Sequence, residues 1–148
     1  MHYSCGMAAS TSYRISDTTK RALSERAALE HTSATALLER LIVEGVRQLD
    51  HPGITFRGHG PDRRAALATG PDVWEIVGRL QDLAGTEEHR IATLSAETDL
   101  HPRLIRVALD YAAAYPDEIV DRITANRERA AASQRAAASR QALLARSA

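Results

Sequence analysis

The stretch that decides the fold lies near the start of the chain, at residues 11–49: TSYRISDTTKRALSERAALEHTSATALLERLIVEGVRQL. A short alternating segment runs directly into two amphipathic helical patterns separated by a polar break. A lone strand leaves half of its backbone groups unpaired, and two helices this short bury too little core to be stable. We therefore expect two copies of the chain to pair their strands as an antiparallel ribbon over interleaved helices. Such a ribbon can read the DNA major groove.

The alternating segment separates apolar from polar side chains. Tyr13 and Ile15 fall on one face of the strand and would point into the dimer core. Ser10, Ser12 and Arg14 fall on the opposite face and would point outward. An arginine can bind guanine O6 and N7, and a serine hydroxyl can contact a base edge, so these three are the predicted base-reading residues. The alternative is an ordinary edge strand with a solvated polar face.

Capping residues and apolar spacing predict the two helices. Ser16 or Asp17 can cap the first helix. Thr32 and Ser33 can cap the second, whose apolar arc is too wide for a helix with one partner and so predicts a dimer interface. The two hydroxyls and the free amides at that helix start would also anchor a DNA phosphate, with Lys20 crowding the same end. Simple capping is the alternative interpretation of Thr32 and Ser33.

The middle of the chain is predicted to be a hairpin followed by helices. The motif DHPG at 50–53 opposes continuation of the second helix. An alternating piece at 54–57 and a Gly-rich turn predict a small hairpin, whose second half at 63–69 could equally be a turn of helix. Four helical patterns follow, two of them with Pro102 and Pro116 in the first turn.

Residues 90–111 have the outline of a helix-turn-helix unit. Arg103 and Arg106 lie near the start of its second helix, where a groove-reading helix places its base contacts, so they form a second possible DNA contact. The alternative is a plain helical hairpin with solvated arginines. Residues 51–121 carry seven basic and twelve acidic side chains, and this acidic balance favours the alternative.

Residues 126–148 are nearly all Ala, Arg, Ser and Gln, a composition that favours helix but is marginal as a free helix in water. The functional interpretation is a tail that orders on a partner, with apolar anchors and with arginines that reach acidic groups. These candidate contact residues are Leu143, Leu144, Arg127, Arg135 and Arg140. The alternative is a solvated tail that continues the last helix or pairs with its dimer mate.

Composition excludes several classes of function. No spacing assembles a nucleophile with a base, a phosphate-binding loop or a zinc site from the six histidines, so we expect no enzyme, no cofactor and no metal. Cys5 is the only cysteine, which indicates a reducing cytoplasm. Neither a secretion signal nor a membrane-spanning run is present. The net charge is zero, so any DNA affinity must come from local patches.

Residues 10–50 resemble the ribbon-helix-helix proteins of the Arc, MetJ and CopG kind. The resemblance rests on the polar-apolar-Arg-apolar strand pattern and on the motifs LSERA and TSATALL. It implies a DNA-binding homodimer in which Ser10, Ser12 and Arg14 occupy the base-reading positions. Many relatives carry Lys, Arg, Asn or Thr where this chain has serine, so Arg14 would provide most of the specificity.

Residues 51–123 are similar to the small domain at the end of many bacterial VapB-type antitoxins, through the motifs HPGITFR, RRAAL, GPDVWEIV and VALDYAAAYPDEIVDRI. The resemblance implies a PIN-like ribonuclease toxin encoded by the neighbouring gene. Such a nuclease has metal-binding carboxylates that an arginine of the tail could block. This chain departs from shorter relatives by a stretch around 85–90 and by the separate unit in front, so DNA binding could have passed to the ribbon.

The sequence thus predicts a mainly α protein with a flexible arm (1–9), a dimeric ribbon-helix-helix domain (10–50), a small helix-turn-helix-like domain with a possible short hairpin (51–125) and a helical tail (126–148). The first hypothesis is a dimeric antitoxin that represses its own operon and neutralises a ribonuclease. The second is a stand-alone transcriptional regulator, and a third is an adaptor without DNA binding. A toxin gene next to this one, or co-purification of a small nuclease, separates the first two.

Overall fold

The computed structural model describes residues 9–146, so the first eight residues, with Cys5 and most of the predicted arm, and the last two lie outside it. The described chain forms six α-helices and one two-stranded antiparallel sheet. The prediction of a mainly helical protein with a short hairpin is therefore confirmed. The chain divides into two compact units, Met1–Val43 and Glu44–Ala148.

The first unit contains α1 (Asp17–Leu29) and the beginning of α2 (Ala34–Asp50). Between the helices His31 adopts a left-handed backbone conformation with φ of 53°. Among the described residues of this unit, only the apolar side chains of Ala27 and Leu37 are fully buried. A core of that size leaves most of the apolar surface of the unit uncovered.

Residues 9–16 have no regular secondary structure in the single chain. A ribbon strand forms only when a second chain supplies the other half of the hydrogen-bond ladder. The predicted strand and the predicted dimer therefore stay predictions.

The second unit opens with a hairpin made of β1 (Ile54–Arg57) and β2 (Arg64–Leu67), with Ile54 opposite Leu67. The connecting turn needs glycine at position 58, because its φ is 88° and a Cβ atom there would lie 2.5 Å from the Asp62 carbonyl oxygen. Of the two alternatives for residues 63–69, the strand is confirmed.

Four helices follow: α3 (Val73–Asp82), α4 (Glu87–Thr98), α5 (Pro102–Ala114) and α6 (Pro116–Ala145). Their starts follow local chemistry, since the backbone N–H of Asp72 donates to the Glu75 carboxylate at 3.0 Å and Pro102 and Pro116 lie in first turns. The helices and the hairpin share one core, whose most deeply buried side chains include Leu67, Val73, Ile91, Leu94, Ile105 and Tyr111.

Two boundaries differ from the pattern expected from sequence. The end of α2 belongs to the second unit, where Glu44 pairs with Arg63 and Arg47 pairs with Glu118 at 2.9 Å. The predicted tail is the continuation of α6, which runs for 30 residues without a break. Helical periodicity does not reveal where a helix exchanges one set of neighbours for another, so the sequence pattern did not predict that the end of α2 belongs to the second unit. The unbroken α6 agrees with the alternative interpretation of the tail, in which it continues the last helix.

Candidate nucleic-acid interface

Each helix of the first unit begins at a serine cap. The Ser16 hydroxyl accepts a hydrogen bond from the Thr19 backbone N–H at 3.2 Å, and the Ser33 hydroxyl accepts one from the Ala36 N–H at 3.1 Å. Thr32 does not cap, and its backbone N–H donates instead to a carbonyl of α1 at 3.0 Å. Phosphate anchoring by Thr32 and Ser33 remains a prediction beside the capping now observed for Ser33.

A carboxylate joins the two helices of the first unit. Glu30 accepts a hydrogen bond from Arg26 Nε at 2.6 Å and pairs with Arg40 Nη2 at 2.7 Å, and its side chain is only 12% exposed. The hydrogen bond from Arg40, and then the one from Arg26, hold the pKa of Glu30 below its ordinary value. Through these two contacts, Glu30 holds the end of α1 against α2.

We expect the first unit to lose stability in acid through Glu30. Because its folded pKa is lowered, ionised Glu30 stabilises the fold above the unfolded value of 4.5, and this contribution disappears as the pH falls through the folded pKa. Hydrogen exchange of residues 17–43, corrected for intrinsic rates, should show a smaller loss of protection below pH 4.5 in Glu30→Gln than in the wild type. The exposed Glu39→Gln is the matched control, and equal pH profiles for the wild type and Glu30→Gln would contradict this prediction.

One face of α2 is apolar and exposed. We define the α2 stripe as the exposed apolar residues at positions i, i+3, i+4, i+8 and i+11 of one helix face: Leu38, Leu41, Ile42, Val46 and Leu49. Ile42 is 54% exposed and Leu49 is 82% exposed. Gly45 lies in the middle of the same face, where an added Cβ would meet no atom within 4 Å. The stripe therefore has an uncovered surface that another helix can approach closely.

The predicted base-reading residues lie in the irregular segment before α1. Ser10, Ser12 and Arg14 are all exposed. Tyr13 is 83% exposed and Ile15 is 36% exposed, so the described chain leaves Tyr13 largely uncovered and covers most of Ile15. Lys20 is also exposed, with its Nζ atom 3.9 Å from Asp17 Oδ1. The predicted strand residues thus lie in one accessible segment, which forms no strand pairing in the single chain.

In the second unit, α4 and α5 form the predicted helix pair, with Asp99 in a left-handed conformation at the turn. Arg103 is exposed near the start of α5, and Arg106 is also exposed. The Arg106 guanidinium pairs with Glu88 of α4 at 2.7 Å. That ion pair partly neutralises Arg106, one of the two predicted DNA contacts. It therefore agrees better with a plain helical hairpin than with a DNA-reading unit.

The five predicted tail residues have different surroundings. Arg127 pairs with Asp82 of α3 at 3.1 Å, so it is tied to the second unit. Arg135 and Arg140 are exposed, as are Leu143 at 68% and Leu144 at 73%. No hydrogen bond or ion pair of a side chain joins residues 131–146 to any other described part of the chain. The free end of α6 is available to a partner.

A polar network of the second unit was missed from sequence. The buried Tyr111 hydroxyl donates to Glu118 at 2.5 Å, and Arg47 donates to both groups at 3.0 and 2.9 Å. Arg47 also stacks 3.9 Å from the centre of the Tyr115 ring. Burial, and then the Glu118 carboxylate, raise the pKa of Tyr111. Tyr111, Tyr115 and Glu118 all lie in the motif VALDYAAAYPDEIVDRI, but nothing in the neighbouring sequence indicated that they contact Arg47.

Within residues 9–146, no three His, Cys, Asp or Glu side chains are grouped so that they could hold a metal ion. In the same part of the chain, none of the helices has the length and apolar character needed to cross a membrane. No family model, curated protein or solved structure matches the sequence.

Proposed function

We propose that the protein is a dimeric DNA-binding antitoxin: residues 10–50 form a ribbon-helix-helix dimer that binds operator DNA, and the C-terminal half binds a PIN-like ribonuclease encoded by the neighbouring gene. The observation that carries the DNA-binding part is the uncovered α2 stripe together with the largely exposed Tyr13 and the partly exposed Ile15. The toxin part depends on the resemblance to VapB-type antitoxins and on the free end of α6.

The dimer is supported by the amount of apolar surface that α1 and α2 leave exposed. Buried side chains within these helices are few, yet α2 carries five exposed large apolar residues on one face. Burying a Val, Leu or Ile side chain contributes about 1.5–3 kcal/mol. A second copy of α2 covers this face best, because the stripe is self-complementary under two-fold symmetry and Gly45 permits close approach.

The ribbon is supported by the alternation that precedes α1. Pairing two copies of residues 10–15 would satisfy the backbone groups on the paired edge of each strand and turn Tyr13 and Ile15 towards the apolar stripes. Ser10, Ser12 and Arg14 would then project together from both chains towards the bases. Lys20 and the free amides at the start of α2, beside Thr32 and Ser33, would contact the flanking phosphates.

The toxin-binding assignment uses the end of α6. Leu143 and Leu144 supply apolar contact area, and an inserted arginine can form charge-assisted hydrogen bonds with carboxylates of a nuclease site. Arg135 and Arg140 are better placed for this than Arg127, because Arg127 already pairs with Asp82. Co-expression with the neighbouring gene followed by mass measurement of the complex tests the partner directly.

Two variants test operator binding and nuclease binding in turn. We expect Arg14→Ala to weaken operator binding by about 1–3 kcal/mol while nuclease inhibition stays intact. Deleting residues 131–148 should abolish nuclease inhibition. The truncated chain keeps the ion pair of Arg127 with Asp82 that supports α6. Gel shifts and ribonuclease assays measure the two effects. Unchanged inhibition after the deletion would show that the tail does not bind the nuclease.

A further inference from the structure

The end of α6 has a large excess of positive charge. Beyond Glu128 the chain contains no acidic residue and four arginines: Arg129, Arg135, Arg140 and Arg146. Nearer the core, Arg122 pairs with Asp62 at 3.0 Å, and Arg127 has the partner described above. No carboxylate of the described chain pairs with the last three of the four arginines.

The four arginines form two rows along the helix. Eleven residues make about three turns, so Arg129 and Arg140 lie on nearly the same side, and so do Arg135 and Arg146. The two rows are about 120° apart around the helix, and arginines within a row are about 16 Å apart along its axis. The surface between the rows consists mainly of small exposed side chains, Ala132, Ala136 and Ser139, with the exposed Leu143 towards its C-terminal end.

We propose that this face of α6, residues 129–146, is a second DNA-contacting surface, which lies in the major groove and contacts phosphates on both sides. The major groove of B-DNA is about 12 Å wide and admits an α-helix. Small side chains face the groove floor, while the two arginine rows reach the two phosphate backbones.

This surface goes beyond the proposed function, because phosphate binding requires neither the ribbon nor the nuclease. DNA and a nuclease would compete for Arg135, Arg140 and Leu143, whereas Leu144 lies outside this face. The absence of acidic residues matters for this assignment, since a carboxylate among the arginines would be repelled by the phosphates. The salt dependence of binding reports the number of phosphates contacted.

The test uses the full chain and a 20-base-pair duplex that lacks the operator, with affinity measured by fluorescence anisotropy over a range of salt concentrations. We expect Arg135→Gln/Arg140→Gln to make the slope of log affinity against log salt shallower by about 1.8 per chain, since each phosphate contact contributes about 0.9. Glutamine keeps the helix propensity close to that of arginine. The control Arg79→Gln/Arg127→Gln removes the same charge from arginines that are already paired with Glu97 and Asp82.

Equal slopes for the two double variants would overturn the proposal, because net charge alone would then explain the binding. If Arg135→Gln/Arg140→Gln lost nuclease binding but kept the wild-type slope of log affinity against log salt, the proposal would also be overturned, and these arginines would be assigned to a protein partner. Arg135→Lys/Arg140→Lys should keep the slope.

Duplex RNA of the same length should bind more weakly, because its major groove is too narrow for a helix, and equal binding would refute the groove assignment. A failure of the ribbon proposal would change the slope of all variants alike and would leave the difference between the two double variants unchanged.

Discussion

Replacing Ile42 and Val46 with aspartate is expected to convert the protein from a dimer into a monomer and to abolish operator binding. Both side chains lie on the α2 stripe and are about half exposed in the single chain, at 54% and 52%. A two-fold interface would contain each substitution twice. About half of each side chain is left to bury, so the lost burial alone amounts to about 3–6 kcal/mol across four side chains, before the cost of desolvating the new carboxylates. Sedimentation at micromolar concentration and an operator gel shift measure the two effects.

The matched control for this variant is Ala36→Asp/Val43→Asp. These two exposed residues lie on the side of α2 away from the stripe, seven residues apart, so they introduce the same charge without entering the interface. We expect the control to stay dimeric. Fluorescence of Trp74, which lies in the second unit, shows whether that unit remains folded in each variant. A stripe variant that remains a dimer with wild-type affinity would refute the ribbon-helix-helix assignment.

Replacing Tyr111 with alanine is expected to destabilise the second unit by about 3–5 kcal/mol, the usual cost of removing a buried aromatic side chain. Tyr111 is completely buried, it packs edge-on against Phe56 and His51, and its hydroxyl donates to Glu118. The change leaves a cavity and removes one partner of both Glu118 and Arg47. Urea unfolding followed by Trp74 fluorescence provides the measurement.

Tyr111→Phe separates the ring from the hydroxyl and guards against a variant that does not fold. It should cost about 1–2 kcal/mol, because the ring remains while Glu118 and Arg47 lose a hydrogen-bond partner. Val120→Ala is the control in the neighbouring helix. Its side chain is 51% exposed, so we expect a change within about 0.5 kcal/mol. If Tyr111→Phe were as stable as the wild type, the polar network would have no part in stability.

The parts of the fold that sequence predicted are those that depend on neighbouring residues. Ser16 and Ser33 cap helices through hydroxyls that reach amides three residues away, and the prolines at 102 and 116 start helices by fixing their own φ. The hairpin after Gly53 follows from alternation and turn residues in the same way. Each of these features is determined within a few residues, so a single sequence contains enough information to predict it.

Contacts between distant parts of the chain could not be predicted in this way. Arg47 and Glu118 are 71 residues apart, and nothing near either residue indicates the other. The apolar arc of α2 did indicate a missing partner, and its exposure in the single chain agrees with that inference. Pairing of Ser12 or Arg14 with a second chain depends on contacts that one chain by itself does not contain.

The unbroken course of α6 means that this helix can serve as a fixed spacer. Its first part packs in the core through Ile119 and Ile123, and no turn interrupts it before Ala145. Whatever is held at Leu143 therefore stays at a set distance from Ile123, about 30 Å along the axis. Inserting four residues after Ala131 would move that docking point by about 6 Å and rotate it by about 40°, which changes its alignment without altering a single contact group.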